Sequence, residues 1–394
     1  MNFDKLTEYL ESLEESYGIP ASDIKVTKGY ETVYRHQTGY SDYEKTKKVD
    51  NTILYRLFSA TKVITMVAVM QLIERGELGF YDEVRKYLPE FGMMKVADSF
   101  VFKFPIDWPK SEEACHYAKN PIRIIDLMTM TAGLSYDTTS EELNKIRQEN
   151  PNATTREVMT YMAKMPLIYE PGTRYGYSLA HDVLAAVVEV VSKKRYSEYL
   201  KENIFSPLDI KDLYFHWEEQ KEISDRICAM YMGVFGSDEI TRDNGLLSGS
   251  FKITKNYESG GAGLVGSVDA YSKIIEALAN DGKGANGARI LSKESVRSFM
   301  VSYTKGEMSK DFALSGKLGY EYGLGVRVLV DERKAKSPRG EFGWDGAAGA
   351  YVLVDPIHNV SIFYAQHIVG FPKVYSEIHP VIRDLVYEGL EKID

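Results

Sequence analysis

The chain of 394 residues is predicted to be an α+β protein: one sheet assembled from both ends of the chain, covered by helices, with a mostly helical region inserted between the sheet-forming segments. Three observations predict it. Strand-like patterns cluster near the two ends, within 23–58 and 322–367. The stretch from about 80 to 250 instead carries helical patterns separated by loops marked by proline and glycine. A chain of this length, 44% hydrophobic and 27% charged, exceeds one ordinary domain core and is too apolar for disorder. The expected division is a sheet unit of 1–80 plus 255–394 and a helical unit of 81–254, with the site between them.

Residues 4–17 read as a charged amphipathic helix stopped by Gly18 and Pro20. "DIKVTKGYETVYRHQTGYSD" (23–42) alternates around a glycine turn and reads as a β-hairpin. "ILYRLF" (53–58) reads as a short strand leading into Ser59. The run after Ser59 is helical for about five turns and stops at Gly76, a residue suited to the position after a helix C-cap. In the inserted region, helices are expected within "NPIRIIDLMTMTAGL" (120–134), "TTREVMTYMAKM" (154–165), "SLAHDVLAAVVEVVSKK" (178–194) and "YSEYLKENIFSPLDI" (196–210). Further on, "VDAYSKIIEALAND" (268–281) and "SKESVRSFM" (292–300) read as helices. "YGLGVRVLV" (322–330), "EFGWDG" (341–346), "AYVLVD" (350–355) and "VSIFYAQH" (360–367) read as strands, and a last helix spans roughly 376–392.

Composition narrows the function. The net charge of −9 gives no general electrostatic reason to bind nucleic acid or anionic lipid, so neither is an expected partner. The N-terminal stretch has no basic segment followed by an apolar one, and the longest apolar run, around 63–73, is too short to span a bilayer. Cys115 and Cys228 show no CxxC spacing and read as free thiols, so a cytoplasmic location is expected. The seven histidines are scattered, with no HxxxH or HExxH, which makes a zinc enzyme improbable. "GGAGLVG" (260–266) carries no lysine and follows no clear strand, a weak match to a phosphate loop.

Ser-x-x-Lys occurs three times: Ser22–Lys25, Ser59–Lys62 and Ser302–Lys305. Only Ser59 sits where a strand turns into a long apolar helix. On that helix Lys62 shares a face with Ser59, and the helix N-terminus offers unpaired N–H groups that favour a developing alkoxide. The helix is apolar on most sides and must be buried. A lysine at its start needs a reason, because an unpaired buried ammonium is costly and a desolvated amine is a candidate base. The plainer alternative makes Ser59 an N-cap and lets Lys62 reach solvent.

Two more segments, "EPGTRYGYSLAHDVLAAVVE" (170–189) and "GWDGAAGAYVLVDP" (343–356), follow "SATK" (59–62) in order. Together they resemble the serine hydrolases of the class C β-lactamase and penicillin-binding-protein-like superfamily. "GELGFYDEVRKYLPEF" (76–91), "IRIIDLMTMTAGL" (122–134), "YLKENIFSPLDIKD" (199–212), "SGGAGLVGSVDAYSKII" (259–275) and "GARILSKESV" (287–296) extend the resemblance collinearly over nearly the whole chain. "YSLAHDVL" and the tryptophan of "GWDGAAG" look most like the family VIII carboxylesterases. The resemblance implies a β-lactamase/transpeptidase-like fold of three layers, αβα, with an antiparallel sheet. It implies that Ser59 is the acylated nucleophile, that Lys62 is a base or holds the proton network, and that Tyr177 takes the place of the catalytic tyrosine. The N–H groups of Ser59 and Ala347 would form the oxyanion hole. Trp344, Asp345 and Gly346 fall where β-lactamases carry Lys-Thr-Gly, and would line the substrate pocket with Leu179. No metal or organic cofactor is implied.

Two departures matter. Leu179 stands where the asparagine of Tyr-x-Asn would be, and Trp344 where the lysine of Lys-Thr-Gly would be, which removes a cation that binds a substrate carboxylate. Both disfavour β-lactam hydrolysis and favour an uncharged, apolar acyl group. The expectation is therefore a carboxylesterase, with an alcohol able to replace water as acyl acceptor. A β-lactamase or amide hydrolase using the same residues is the nearest alternative, and a degenerate penicillin-binding-like sensor or binding protein the non-enzymatic one. Tyr175 competes with Tyr177 for the tyrosine role. Asp182 reads as structural, His181 carries no catalytic assignment, and Met130 replaces a histidine often seen in this superfamily.

Overall fold

The computed structural model describes residues 1–101, 106–109, 114–234, 236–245 and 251–391. Helix α1 (Asp4–Tyr17) buries Leu6, Leu10 and Leu13 on one face and stops at Gly18, whose φ of +71° lets its N–H return to the Glu14 carbonyl. The chain then makes a hairpin, β1 (Ala21–Lys28) and β2 (Glu31–Gly39). Helix α2 (Thr61–Glu74) follows the serine. Every residue from Thr61 to Leu72 is buried, so α2 runs through the interior. Helix α3 (Ala180–Ser192) packs against it, and α4 (Val268–Ala279) lies on the sheet.

Five strands near the C-terminus complete the main sheet: β3 (Tyr320–Tyr322), β4 (Arg327–Leu329), β5 (Phe342–Gly343), β6 (Tyr351–Asp355) and β7 (Val360–Ala365). The seven strands are antiparallel in the order β3-β4-β5-β6-β7-β1-β2. Strand β1 thus lies between its hairpin partner and β7, with Ile24 opposite Tyr364. Helix α5 (His379–Glu391) ends the described chain; position 392 of the expected last helix lies outside it.

The pleat divides the core. Leu353, Val360, Ile362 and Tyr364 point to one side, where they cluster with the leucines of α1 and with Ile382 and Val386 of α5. Val352, Val354, Phe363 and Ala365 point to the other and join the larger core around α2, α3 and α4, where Tyr271 stacks on Phe363 at 4.3 Å. Helices, sheet and helices make the three expected layers.

Several element expectations are revised. "ILYRLF" supplies only Tyr55–Arg56, which pairs with Val265–Gly266 outside the main sheet; Val265–Gly266 pairs in turn with Leu213–Tyr214. "YGLGVRVLV" is not one strand: it holds the end of β3, a turn and all of β4. Gly325 there has φ +71° and lies so close to Met66 of α2 and His181 of α3 that a side chain would not fit. Glu141–Glu149 and Glu307–Ala313 are helices not foreseen; the first buries only Leu143 and Ile146, a thin periodic signal. The inserted region also holds short strand pairs, Lys95–Ala97 with Cys115–Tyr117 and Tyr231–Gly233 with Ile240–Arg242. Cys115 and Cys228 are not joined in a disulfide. Among the described residues no helix is long and apolar enough to cross a membrane.

Candidate active site

The Tyr55–Arg56 strand delivers the chain into one 3₁₀ turn, Phe58–Ala60, that runs straight into α2. Phe58 has φ +43°, a left-handed conformation that costs a bulky residue of order 1–3 kcal/mol and persists only when the surroundings impose it. The surroundings are tight: a Cβ on Gly346 would run into the Leu57 carbonyl. That glycine lets the loop after β5 press against the turn carrying Ser59. Ser59 itself is 7% exposed, and Lys62 is fully buried one turn further along.

The Tyr177 hydroxyl donates to Ser59 Oγ at 2.7 Å, and Lys62 Nζ donates to the same oxygen at 3.4 Å. The Lys62 ammonium is held by the Gly261 carbonyl at 2.8 Å and lies over the ring faces of Tyr177, at 4.7 Å, and Tyr136, at 5.2 Å. The Trp344 indole N–H donates to Tyr177 Oη at 3.1 Å. Tyr177 is clamped between two rings, Tyr136 at 5.1 Å and Trp344 at 5.5 Å. Burial pushes the Tyr136 phenol well above its usual range, so it stays a neutral donor. Tyr175, the competing tyrosine, is buried against Phe312 and Tyr322. Among the other Ser-x-x-Lys pairs, Ser22 bonds Thr38 across the hairpin and Lys25 pairs with Asp269 at 2.8 Å.

Behind Lys62 lies Asp182, fully buried on the first turn of α3. Its Oδ1 accepts from Tyr257 Oη at 2.8 Å and Ser259 Oγ at 2.5 Å. Its burial raises the carboxyl above its ordinary range, against the pull of Ser259, Lys62 and Tyr257. Gly261 is wedged between the two charges: a Cβ there would stand 2.6 Å from Asp182 Oδ2 and 3.2 Å from Lys62 Nζ. Asp182 therefore pins the 257–261 loop whose carbonyl anchors Lys62.

Ser59 and Tyr177 open into a cavity of about 380 Å³ whose walls include Trp344, Asp345, Gly346 and Ala347. The Ala347 N–H has no protein acceptor among the described residues. Tyr375 Oη donates to the carbonyls of Gly346 and Ala347, each at 2.9 Å. The Gly346 carbonyl shares a peptide unit with the Ala347 N–H, so this phenol fixes where that N–H points. Asp345 is buried, which alone would raise its carboxyl, but Arg327 at 2.9 Å and the Lys317 ammonium hold it well below the usual range.

The structure brings Ser59, Lys62, Tyr177, Trp344, Asp345, Gly346 and Ala347 together. Leu179 is a correction: it is the N-cap residue of α3, fully buried in the core, and does not line the cavity. The lost cation is a second correction, because Lys317 enters the cavity wall from the loop before β3. Sequence reasoning missed Tyr136, Gly261, Lys317 and Tyr375. "SGGAGLVG", quoted for its glycines, was the one signal that could have found Gly261.

Comparison with known proteins identifies a family and a fold. The family description that matches the chain is Beta-lactamase, over residues 6–386. Protein Rv1367c of Mycobacterium tuberculosis is 28% identical over 343 residues, covering 84% of this chain and 82% of that protein. EstCE1, described as "a hydrolase with promiscuous acyltransferase activity", has a similar structure, with a TM-score of 0.77 at 24% identity over 98% of both chains. Simvastatin Synthase (LovD) from Aspergillus terreus has a TM-score of 0.79 at 18% identity over 100% of both. At those identities the two structures speak to fold.

Proposed function

The chain belongs to the Beta-lactamase family, and we propose that it is a serine hydrolase cleaving carboxylic esters through an acyl-Ser59 intermediate. One observation carries the reading: a serine hydroxyl at the head of a buried helix, 2.7 Å from a tyrosine hydroxyl and 3.4 Å from a buried ammonium. Ser59 Oγ attacks the ester carbonyl. The Tyr177–Lys62 pair accepts the serine proton and returns it to the departing alkoxide. The Trp344 N–H meets the charge that moves on and off Tyr177 Oη. The N–H groups of Ser59 and Ala347 receive the tetrahedral oxyanion, a contribution of about 3–4 kcal/mol per donor. Water then attacks the acyl-serine, with the proton passing the same way; an alcohol in its place makes the reaction an acyl transfer. The similarity to EstCE1 and LovD is consistent with both outcomes.

The same reading keeps a sheet unit of 1–80 and 255–394 and a helical unit of 81–254, the first supplying Ser59 and Lys62 and the second Tyr177. It also keeps a cytoplasmic enzyme with a small-molecule substrate, without nucleic acid or membrane partner. The test is a side-by-side assay of short-chain p-nitrophenyl esters and a chromogenic cephalosporin, with Ser59→Ala as control. Ester hydrolysis abolished in Ser59→Ala, with feeble cephalosporin turnover, is expected. Cephalosporin turnover matching the esters would replace esterase with β-lactamase. Absence of any turnover and of labelling by a serine-directed phosphonate would leave a binding protein.

A further inference from the structure

We propose that Lys317 is the substrate's anion anchor: the ester that reaches Ser59 carries a carboxylate, remote from the scissile bond, that pairs with the Lys317 ammonium. The reaction rests on the ester-hydrolase reading; the charge rests on separate observations.

The first is position. Lys317 lines the cavity that holds Ser59 and also a second cavity of about 230 Å³ beside it, so its ammonium stands at their junction. The second is charge. Arg327, Lys334 and Arg383 line the second cavity with Lys317, against the single carboxylate of Asp345. Arg327 is already the buried partner of Asp345, at 2.9 Å, and spends another donor on the Val352 carbonyl at 2.8 Å. Arg383 pairs with Asp384 at 2.7 Å. His379 is pushed down to about 4 by burial and adds no charge near neutral pH. Glu341 accepts from Tyr320 and lines neither cavity. The walls that Lys317 joins therefore carry more positive charge than the Asp345 carboxylate balances.

The third observation is unused hydrogen-bonding capacity. An ammonium has three donors, and Asp345 is the one hydrogen-bond partner of Lys317 among the described residues. The rest of its surroundings are the ring faces of Trp344, at 5.5 Å, and Tyr375, at 5.7 Å. Two residues earlier, Ser315 Oγ is buried in the Ser59 cavity wall without a partner among the described residues. An apolar acyl group filling the cavity would strip water from the Lys317 ammonium and replace it with nothing. A carboxylate oxygen on Lys317 Nζ restores a partner to it.

The test compares p-nitrophenyl hydrogen adipate with p-nitrophenyl hexanoate, which share a chain length and differ in terminal charge. The expected ratio of kcat/KM favours the adipate by about tenfold or more, the scale of one charge-assisted hydrogen bond. Lys317→Met should collapse that ratio, and Lys317→Arg should keep most of it. A ratio near one in the wild type, or an undiminished ratio in Lys317→Met, overturns the proposal and leaves Lys317 as a structural partner of Asp345. A second arm separates this from the reaction itself: binding of monoethyl adipate and of ethyl hexanoate to Ser59→Ala protein, by calorimetry, with and without Lys317→Met. A charge preference in binding that depends on Lys317, found where the wild-type protein turns over no ester, supports the anchor and overturns only the esterase reading.

Discussion

Trp344 replaces a lysine of the β-lactamase pattern, yet it serves the same neighbour by other means. Its indole walls the cavity, stacks on Tyr177 and donates to Tyr177 Oη. Trp344→Phe keeps the ring and removes the N–H, so kcat on a p-nitrophenyl ester should fall about tenfold with KM little changed, the expected signature of a bond that matters most as charge moves on the phenol. Tyr375→Phe frees the peptide that carries the Ala347 N–H. It should lower kcat by about tenfold as well, less than the loss of an oxyanion donor itself, and leave thermal stability near that of the wild type. Ser59, Lys62, Tyr177 and Trp344 were legible because each sits in a short stretch of fixed order. Lys317 and Tyr375 were not: Lys317 lies in a loop and Tyr375 in the helical turn just before α5, and each meets its partner only through long-range folding.

At the scale of elements, the first turn of α3, the 257–261 loop and α2 form one clamp. Asp182 holds the loop and the loop holds Lys62. Gly261→Ala inserts a methyl group between them; activity should fall at least a hundredfold while the circular dichroism spectrum is unchanged, because backbone conformation there does not demand glycine. Asp182→Asn keeps the shape and removes the charge, and should lower kcat more than KM. Asp182 had read as structural, and in the sense of holding a loop it is; its bearing on Lys62 depends on Gly261, which stands 79 positions later. The long helices were legible from their apolar periodicity. The strand of "ILYRLF" and the single strand of "YGLGVRVLV" were misjudged because runs of this length pair, turn or stop according to their neighbours, here Val265–Gly266 in one case and the packed faces of α2 and α3 in the other.

The molecule as a whole buries three histidines in neutral form: His181, His367 and His379. Burial depresses all three, His367 to about 3 and His379 to about 4. Below about pH 6.5 the unfolded chain takes up protons at these positions that the folded chain does not, so stability falls as pH falls, by up to about 1.4 kcal/mol per pH unit for each group. Glu189, raised to about 7 mainly by burial, opposes one of them: its folded form gains the proton first as pH drops from 7. The net expectation is a loss of up to about 3 kcal/mol per pH unit between about pH 6.5 and 5.5, read from urea midpoints. His367→Gln should reduce that slope by about one proton, since its imidazole accepts the Arg56 N–H and cannot be protonated there without losing that bond. The assembly of one sheet from both ends was legible at this scale, because strands at both ends and helices between leave few other ways to build one core; the order of its strands was not.

That sheet order also sets a clock. Strand β1 has β7 as a neighbour, and β7 is synthesised about 330 residues later. At roughly 5–20 residues per second the ribosome needs some twenty seconds to a minute to cover that interval. Throughout it the nascent chain carries a hairpin whose β1 edge is open. The final tenth of the message therefore decides whether everything made before it stays in solution, and a stop codon placed just ahead of β7 should yield aggregated product from a chain whose serine, lysine and tyrosine are all present.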